Sequence, residues 1–179
     1  MKQSIGFMEY RSIAIGVEVT DAMLKSGDVR LLQSGVLCPG KYVVMIAGAV
    51  GAVDVAIRVG MKHDPATFLD STIIANIHAS ILPALTGTTS VIQHGAFGII
   101  ETIDATAAII AADTAVKTAD IDLLEIRLAR GMGGKGYVSL CGELMAVTSA
   151  VNQAMGVIGK EGLLVASSII ASPHEQLRF

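Results

Sequence analysis

Cys38 and Cys141 are the two thiols of this chain, and they stand in different surroundings. Cys38 opens a Cys-Pro-Gly turn, where a thiol could ligate a metal, although a lone cysteine is otherwise a small hydrophobe that packs in a core. The proline after it lacks an N–H and stiffens the turn. Cys141 falls inside the strand-like stretch YVSLCGE and reads as a core thiol. The run Gly131-Met132-Gly133-Gly134-Lys135-Gly136 satisfies G-x-G-x-x-G. That fingerprint must open a helix whose N-terminus faces phosphates, whereas Tyr137 to Cys141 reads as a strand. A Walker-type loop fails too, because Ala129 stands at its first glycine and Gly136 where Ser or Thr must hold magnesium. A flexible turn is the better account of these glycines. Neither His78 nor His174 pairs with a Cys or carboxylate at metal-ligand spacing, and both read as cap or edge residues. His63 and His94 read as solvated loop residues without partners. Glu9 and Glu101 invite a reading as an acid–base pair, and no Ser-His-Asp arrangement accompanies them. The chain is not expected to be an enzyme.

The elements that position these residues are those of a strongly apolar chain. Its 179 residues are 52% hydrophobic, with 19 Gly besides, and only 16% are charged. Such a length fits one ordinary domain or two small ones. A domain of half this length hides only about 60–65% of its unfolded surface, so much of the apolar material must meet another subunit. Mean hydropathy is +0.62. The longest uncharged apolar stretch, Tyr42 to Val53, ends at Asp54 and falls short of the roughly 18–20 residues that cross a bilayer. Glu9 and Arg11 interrupt any apolar leader, and a cytoplasmic location is expected. Net charge is −3, without the basic stripe that would attract nucleic acid. Two cysteines are too few for a disulfide framework.

An internal repeat sets the architecture. IGFMEY from Ile5 matches FGIIET from Phe97, so that Gly6 overlies Gly98 and Glu9 overlies Glu101; duplication thus explains the two glutamates. In the same register Asp21 meets Asp113 and Lys25 meets Lys117. The match then slips by two residues, bringing Gly40-Lys41 onto Gly134-Lys135 and Gly48 onto Gly142. It slips by two again, bringing Ile73 to His78 onto Ile169 to His174. Within the first copy, periodicity predicts a strand over 4–10, a helix over 15–25, a hairpin of strands 29–37 and 41–47 around Cys38-Pro39-Gly40, a helix over 50–59 and a strand over 71–76. The order β-α-β-β-α-β is that of a ferredoxin-like sandwich in the α+β class. The expected domains are 1–87 and 95–179, joined through 88–94 within a Thr- and Ser-rich stretch from Leu85 to Gln93.

Several of these segments together resemble the bacterial microcompartment shell domain: IGFME and FGIIE, DAMLKSGDV, VLCPGK, GAVGAV, and the IIANIH and IIASPH ends. The resemblance covers the whole chain twice in unpermuted order. In detail it resembles the iron–sulfur tandem shell proteins of propanediol-utilisation compartments, through the CPGKY-like and GMGGK-like loops and ANIHxSxLPA. What it implies is a homotrimer of tandem chains mimicking a six-domain ring, a pseudohexamer that packs edge to edge with other shell proteins. Leu37, Cys38, Pro39, Gly40 and Lys41 would line a central pore, together with Gly131, Met132, Gly133, Gly134, Lys135 and Gly136. Lys25, Lys117, His78 and His174 would contact neighbouring tiles. Asn76 and Ser172 replace an arginine common at that edge. In the resembling proteins the cysteine of the CPGK turn, one from each subunit, ligates a [4Fe–4S] cluster, which implies a metal site at Cys38 for electron transfer across the shell, with redox cargo as a further partner. The alternatives are a metabolite-conducting tile without a cluster and a small ligand-binding regulatory domain on the same fold.

Overall fold

The computed structural model describes residues 3–129 and 131–177. The chain falls into two compact units, residues 1–77 and 78–179. The first comprises β1 (Ser4–Tyr10), α1 (Ile13–Lys25), β2 (Val29–Leu37), β3 (Lys41–Gly48), α2 (Val50–His63) and β4 (Phe68–Ile74). The second begins with a short helix, α3 (Ile81–Thr86). It then repeats the pattern as β5 (Ala96–Thr102), α4 (Ala105–Thr118), β6 (Ile121–Leu128), β7 (Gly136–Gly142), α5 (Leu144–Gly159) and β8 (Leu164–Ile170). Each unit carries one four-stranded sheet, ordered β2-β3-β1-β4 and β6-β7-β5-β8, with every strand pair antiparallel. This is the ferredoxin-like α+β arrangement read from the repeat.

Strand register explains where the repeat slips. Gly6 pairs with Ile46 and Ile73, and Gly98 with Leu140 and Ile169, which are the residues the sequence repeat superposes. The first slip is taken up in the β-hairpin. Leu37 faces Lys41 across a three-residue tip in the first unit. In the second, the Ala129 N–H reaches the Lys135 carbonyl at 2.9 Å across a longer tip. The second slip lengthens a helix, since α2 has 14 residues and α5 has 16. A bulge interrupts β2 between Leu31 and Gln33 and β6 between Leu123 and Glu125, at equivalent places.

Alternation along the strands aims one set of side chains at the helices. In the first unit Met8, Tyr10, Val44 and Ile46 meet Val19 and Met23 of α1 and Val53, Ala56 and Ile57 of α2, all buried. Each large side chain so buried contributes about 1.5–3 kcal/mol. The Tyr10 hydroxyl donates to the Gly60 carbonyl at 2.7 Å, and burial, then the Asp64 charge, pushes its phenol up to about 12. Gly6 lets α2 approach closely: a Cβ there would stand 2.8 Å from Val53. Gly98 does the same for Val151 of α5 at 3.0 Å.

The sequence-based boundaries shift in four places. α1 starts at Ile13 because Ser12 caps it, its hydroxyl accepting the Ile15 N–H. α2 runs on to His63, four residues beyond its expected end. β4 lies at 68–74, ending before Asn76, whose φ of 52° leaves the extended region. α3 forms within and just ahead of the stretch expected as linker, and closes at Gly87 in left-handed geometry. It packs on β6 and α4, so residues 78–87 belong with the second unit.

Candidate functional site at the hairpin tips

The two β-hairpins place the candidate site residues. In the first tip the Gly40 N–H closes the turn onto the Leu37 carbonyl at 2.9 Å, and Gly40 has φ +92°, which a side chain would resist. Leu37 is buried and anchors the turn, Cys38 is half-buried, and Pro39 and Gly40 are exposed. The peptide bond between Cys38 and Pro39 is cis. No disulfide joins Cys38 to another cysteine. Around Gly40 a Cβ would meet no atom within 4 Å, so the apex faces open space.

The second tip is glycine-rich for a backbone reason. Gly131, Gly133 and Gly134 take φ values of +74°, +64° and +96°, and even Ala129 is drawn to +37°. The loop leads into β7 and not a helix, so the G-x-G-x-x-G run lacks a phosphate-facing helix N-terminus. Gly136 is already part of β7 and is packed: a Cβ there would lie 2.8 Å from Ala108. Met132 is half-buried beside it and lines, with Ile99, Glu101, Lys135, Tyr137 and Ser168, a cavity of about 330 Å³.

Just behind each tip lies an ion pair that sequence reasoning missed. Lys41 binds Glu9 at 2.7 Å, and its repeat equivalent Lys135 binds Glu101 at 2.8 Å. The first pair is much the drier, with side-chain exposures of 36% and 7% against 47% and 39%. Lys41 and Lys135 are therefore charge-compensated, and the two glutamates act as their partners. The signal lay in the repeat itself, because both Glu and both Lys recur together. Beside the second pair, Tyr137 donates to Glu125 at 2.6 Å, and Arg127 closes on the same carboxylate at 2.6 Å. Burial, then the bond to Glu125, pushes the Tyr137 phenol up to about 12. Glu125 holds the Arg127 guanidinium charged, raising its pKa further.

Among the described residues, no three His, Cys, Asp or Glu side chains gather as a metal site. Cys38 is therefore not part of such a group within a single chain. Cys141 lies on β7 with Phe97 and Leu124, fully buried, and desolvation pushes its thiol up. Two expectations need correction: His63 and His94 are not solitary. His63 ends α2 and meets Glu18 at 3.1 Å, and His94 meets Asp122 at 3.0 Å, pairs brought together by folding over long sequence separations. Lys25 is exposed and pairs with Asp21 one turn back, while Lys117 pairs with a buried Asp113 that also accepts the His78 N–H at 2.9 Å. His174 is exposed.

Two α+β sandwiches in one chain, with hairpin tips of unequal length each backed by a Lys–Glu pair, define a tandem-domain α+β protein. The chain belongs to the BMC domain family, whose model matches residues 4–77 and 96–173. It is 46% identical over 177 residues to the bacterial microcompartment shell protein PduT of Citrobacter freundii, spanning 99% of this chain and 96% of that one. The carboxysome shell protein CsoS1A of Hydrogenovibrio crunogenus is 31% identical over 86 residues, 46% of this chain and 90% of that protein. Among solved structures, a microcompartment protein from Desulfitobacterium hafniense has a TM-score of 0.94 at 42% identity, covering 98% of this chain and 97% of its own. The fused permuted hexameric shell protein MSM0275 has a TM-score of 0.62 at 25% identity, covering 88% of this chain and 82% of its own. The chain is a shell protein of a bacterial microcompartment. No helix among the described residues is long and apolar enough to cross a membrane.

Proposed function

We propose that three copies of this chain close into a pseudohexameric ring whose central pore carries a [4Fe–4S] cluster on three Cys38 thiolates, for electron transfer across the shell. The observation that carries this reading is the position of Cys38. It stands in a short, anchored tip that opens on free space at Gly40, and the corresponding glycine loop, Gly131–Gly134, contains no thiol. A threefold axis through the tips would gather one thiolate per chain, and only such an assembly turns a single ligand into three. When bound, a cluster of this kind supplies one-electron transfer; three thiolates leave one iron for solvent or an outside donor. The residues of the chain do the rest. Leu37 anchors the turn in the core, Gly40 permits its geometry, and the dry Glu9–Lys41 pair fixes the strand that follows. The ring packs edge to edge with other shell proteins, with Lys25 and Lys117 at its rim, and a redox enzyme inside the compartment would be its electron partner.

Purification without oxygen followed by iron and sulfide analysis tests the reading. About four irons per three chains are expected, with an electron paramagnetic resonance signal after reduction that Cys38→Ser abolishes. A trimer free of iron and of visible absorption would leave a metabolite-conducting tile whose glycine loops form the collar of the pore.

A further inference from the structure

The chain contains one completed version of a contact and both halves of a second, unjoined. In the second unit the Asp113 carboxylate is nearly buried and accepts the backbone N–H of His78 at 2.9 Å. His78 leads a tight turn: the Ser80 N–H donates to its Nδ1 at 3.3 Å and the Ile81 N–H to its carbonyl at 3.1 Å. The turn carries α3 onto α4 and β6.

Its repeat equivalents are Asp21 and His174. The His174 turn is already formed in the same way, with the Gln176 N–H donating to Nδ1 at 3.2 Å and the Leu177 N–H to the carbonyl at 2.8 Å. Among the described residues, however, the His174 N–H has no acceptor, and the Asp21 carboxylate, 63% exposed, pairs with Lys25 alone. The difference extends along the whole helix stripe. Ile13 and Val17 stand 45% and 55% exposed, two turns and one turn before Asp21 respectively, whereas their counterparts Ala105 and Ile109 before Asp113 are fully buried. Spacing of i, i+4 and i+8 puts all three on one stripe of α1. An apolar stripe ending in an open carboxylate is an acceptor surface shaped like the filled one on α4.

We propose that Asp21 accepts the backbone N–H of His174 from a second copy of this chain, whose C-terminal turn covers the Ile13–Val17 stripe. This rests on the trimer reading and assigns the contact that closes it. The two halves lie on different parts of one sequence, so the contact is head-to-tail and repeats around a ring until it closes. One copy of this chain supplies the turn and the next the carboxylate, so no other partner is needed to complete the contact.

Paired cysteines test it directly. In a Cys38→Ser background, Asp21→Cys with His174→Cys is treated with a short thiol-to-thiol cross-linker, and denatured dimers and trimers are expected that neither single variant gives. Asp113→Cys with His78→Cys is the reference for geometry and links within one chain without changing its mass. Sedimentation adds a second readout: Asp21→Ala should weaken association by about tenfold to a hundredfold per interface, as a hydrogen bond to a charged group implies. Asp21→Asn, which keeps an acceptor oxygen, should lose less, and Lys25→Ala should leave the ring intact. A trimeric wild type with no inter-chain product, while the reference pair closes, overturns this contact alone. A wild type that stays monomeric at every concentration overturns the trimer reading with it.

Discussion

The two units share a fold and a register, yet they fill one helix–sheet contact in opposite ways. In the first, Gly16 of α1 lies under the ring of Tyr42, and a Cβ there would stand 2.3 Å from the ring. In the second, the equivalent helix position is Ala108 and the equivalent strand position is Gly136. Small-under-large in one copy has become larger-under-small in the other, so the volume of the layer is kept while its parts are exchanged. A duplicated core therefore tolerates divergence by compensated pairs, whereas the parts that differ without compensation are the hairpin tips and the helix stripes.

The largest effect comes from breaking one such pair. Gly16→Ala gains up to about 1 kcal/mol of helix propensity, but the clash with a ring fixed at its own Cβ costs about 3 kcal/mol. The first unit should melt earlier in calorimetry. Adding Tyr42→Gly recreates the arrangement of the second unit, and a double-mutant cycle should return a favourable coupling above about 1 kcal/mol. Additive losses would show that the two positions do not compensate each other.

Alkaline pH separates the units next. The neutral Tyr10 phenol is the form the folded state favours, since its pKa is pushed to about 12 from an ordinary 10. Its stabilisation is thus complete below about pH 10 and is lost as pH rises through about 12, on the order of 2–3 kcal/mol in all. At the equivalent place in the second unit stands Thr102, which does not titrate and donates to the Asp104 carbonyl at 2.7 Å. Tyr137 is raised to a similar value but is half-exposed, so solvent screens its share. Denaturant titrations from pH 9 to 12 should flatten strongly for Tyr10→Phe and weakly for Tyr137→Phe; equal slopes would refute the ranking.

The ion pairs behind the tips sharpen the comparison further. Lys41→Met leaves the nearly buried Glu9 carboxylate without its partner and should cost about 2 kcal/mol. Lys135→Met exposes a Glu101 that water already reaches and should cost less than about 1 kcal/mol. Chemical denaturation of the two variants reads the difference, and equal losses would mean that burial does not set the strength of these pairs.

Much of this was legible in the sequence, for physical reasons that also mark what was not. The hairpin from Val29 to Gly48 follows from β-branched runs around a Cys-Pro-Gly turn, and the repeat gave the second sheet its register, because pairs such as Gly98 with Leu140 copy Gly6 with Ile46. Helix α3 was hidden because it is short, contains Pro83 and is flanked by Ser and Thr; tertiary packing on α4 and β6 makes it helical, not propensity. The Glu9–Lys41 pair spans 32 residues and two neighbouring strands, so spacing within one copy carries no sign of it, and only the recurrence of both residues in the repeat does. His63 with Glu18 and His94 with Asp122 escaped for the same reason.

The smallest effect concerns Lys25 and Lys117, the two lysines proposed for the rim. Lys25 and Asp21 are both largely exposed, and an exposed i,i+4 pair is worth only about 0.3–0.5 kcal/mol. Lys117 rests on an Asp113 that is only 9% exposed at its side chain and already holds the His78 N–H. Lys117→Ala should therefore lower stability by about 1 kcal/mol, and Lys25→Ala by barely a measurable amount. Their effects on assembly should run the other way around stability: Lys25→Ala leaves the fold and the ring as they are, yet weakens edge-to-edge sheets because its exposed ammonium, held only by an exposed Asp21, can turn to a neighbour. Sedimentation together with electron microscopy of sheets checks both. Normal sheets from Lys25→Ala would remove that lysine from the rim, and a fully stable Lys117→Ala would show that Asp113 is held by the His78 turn alone.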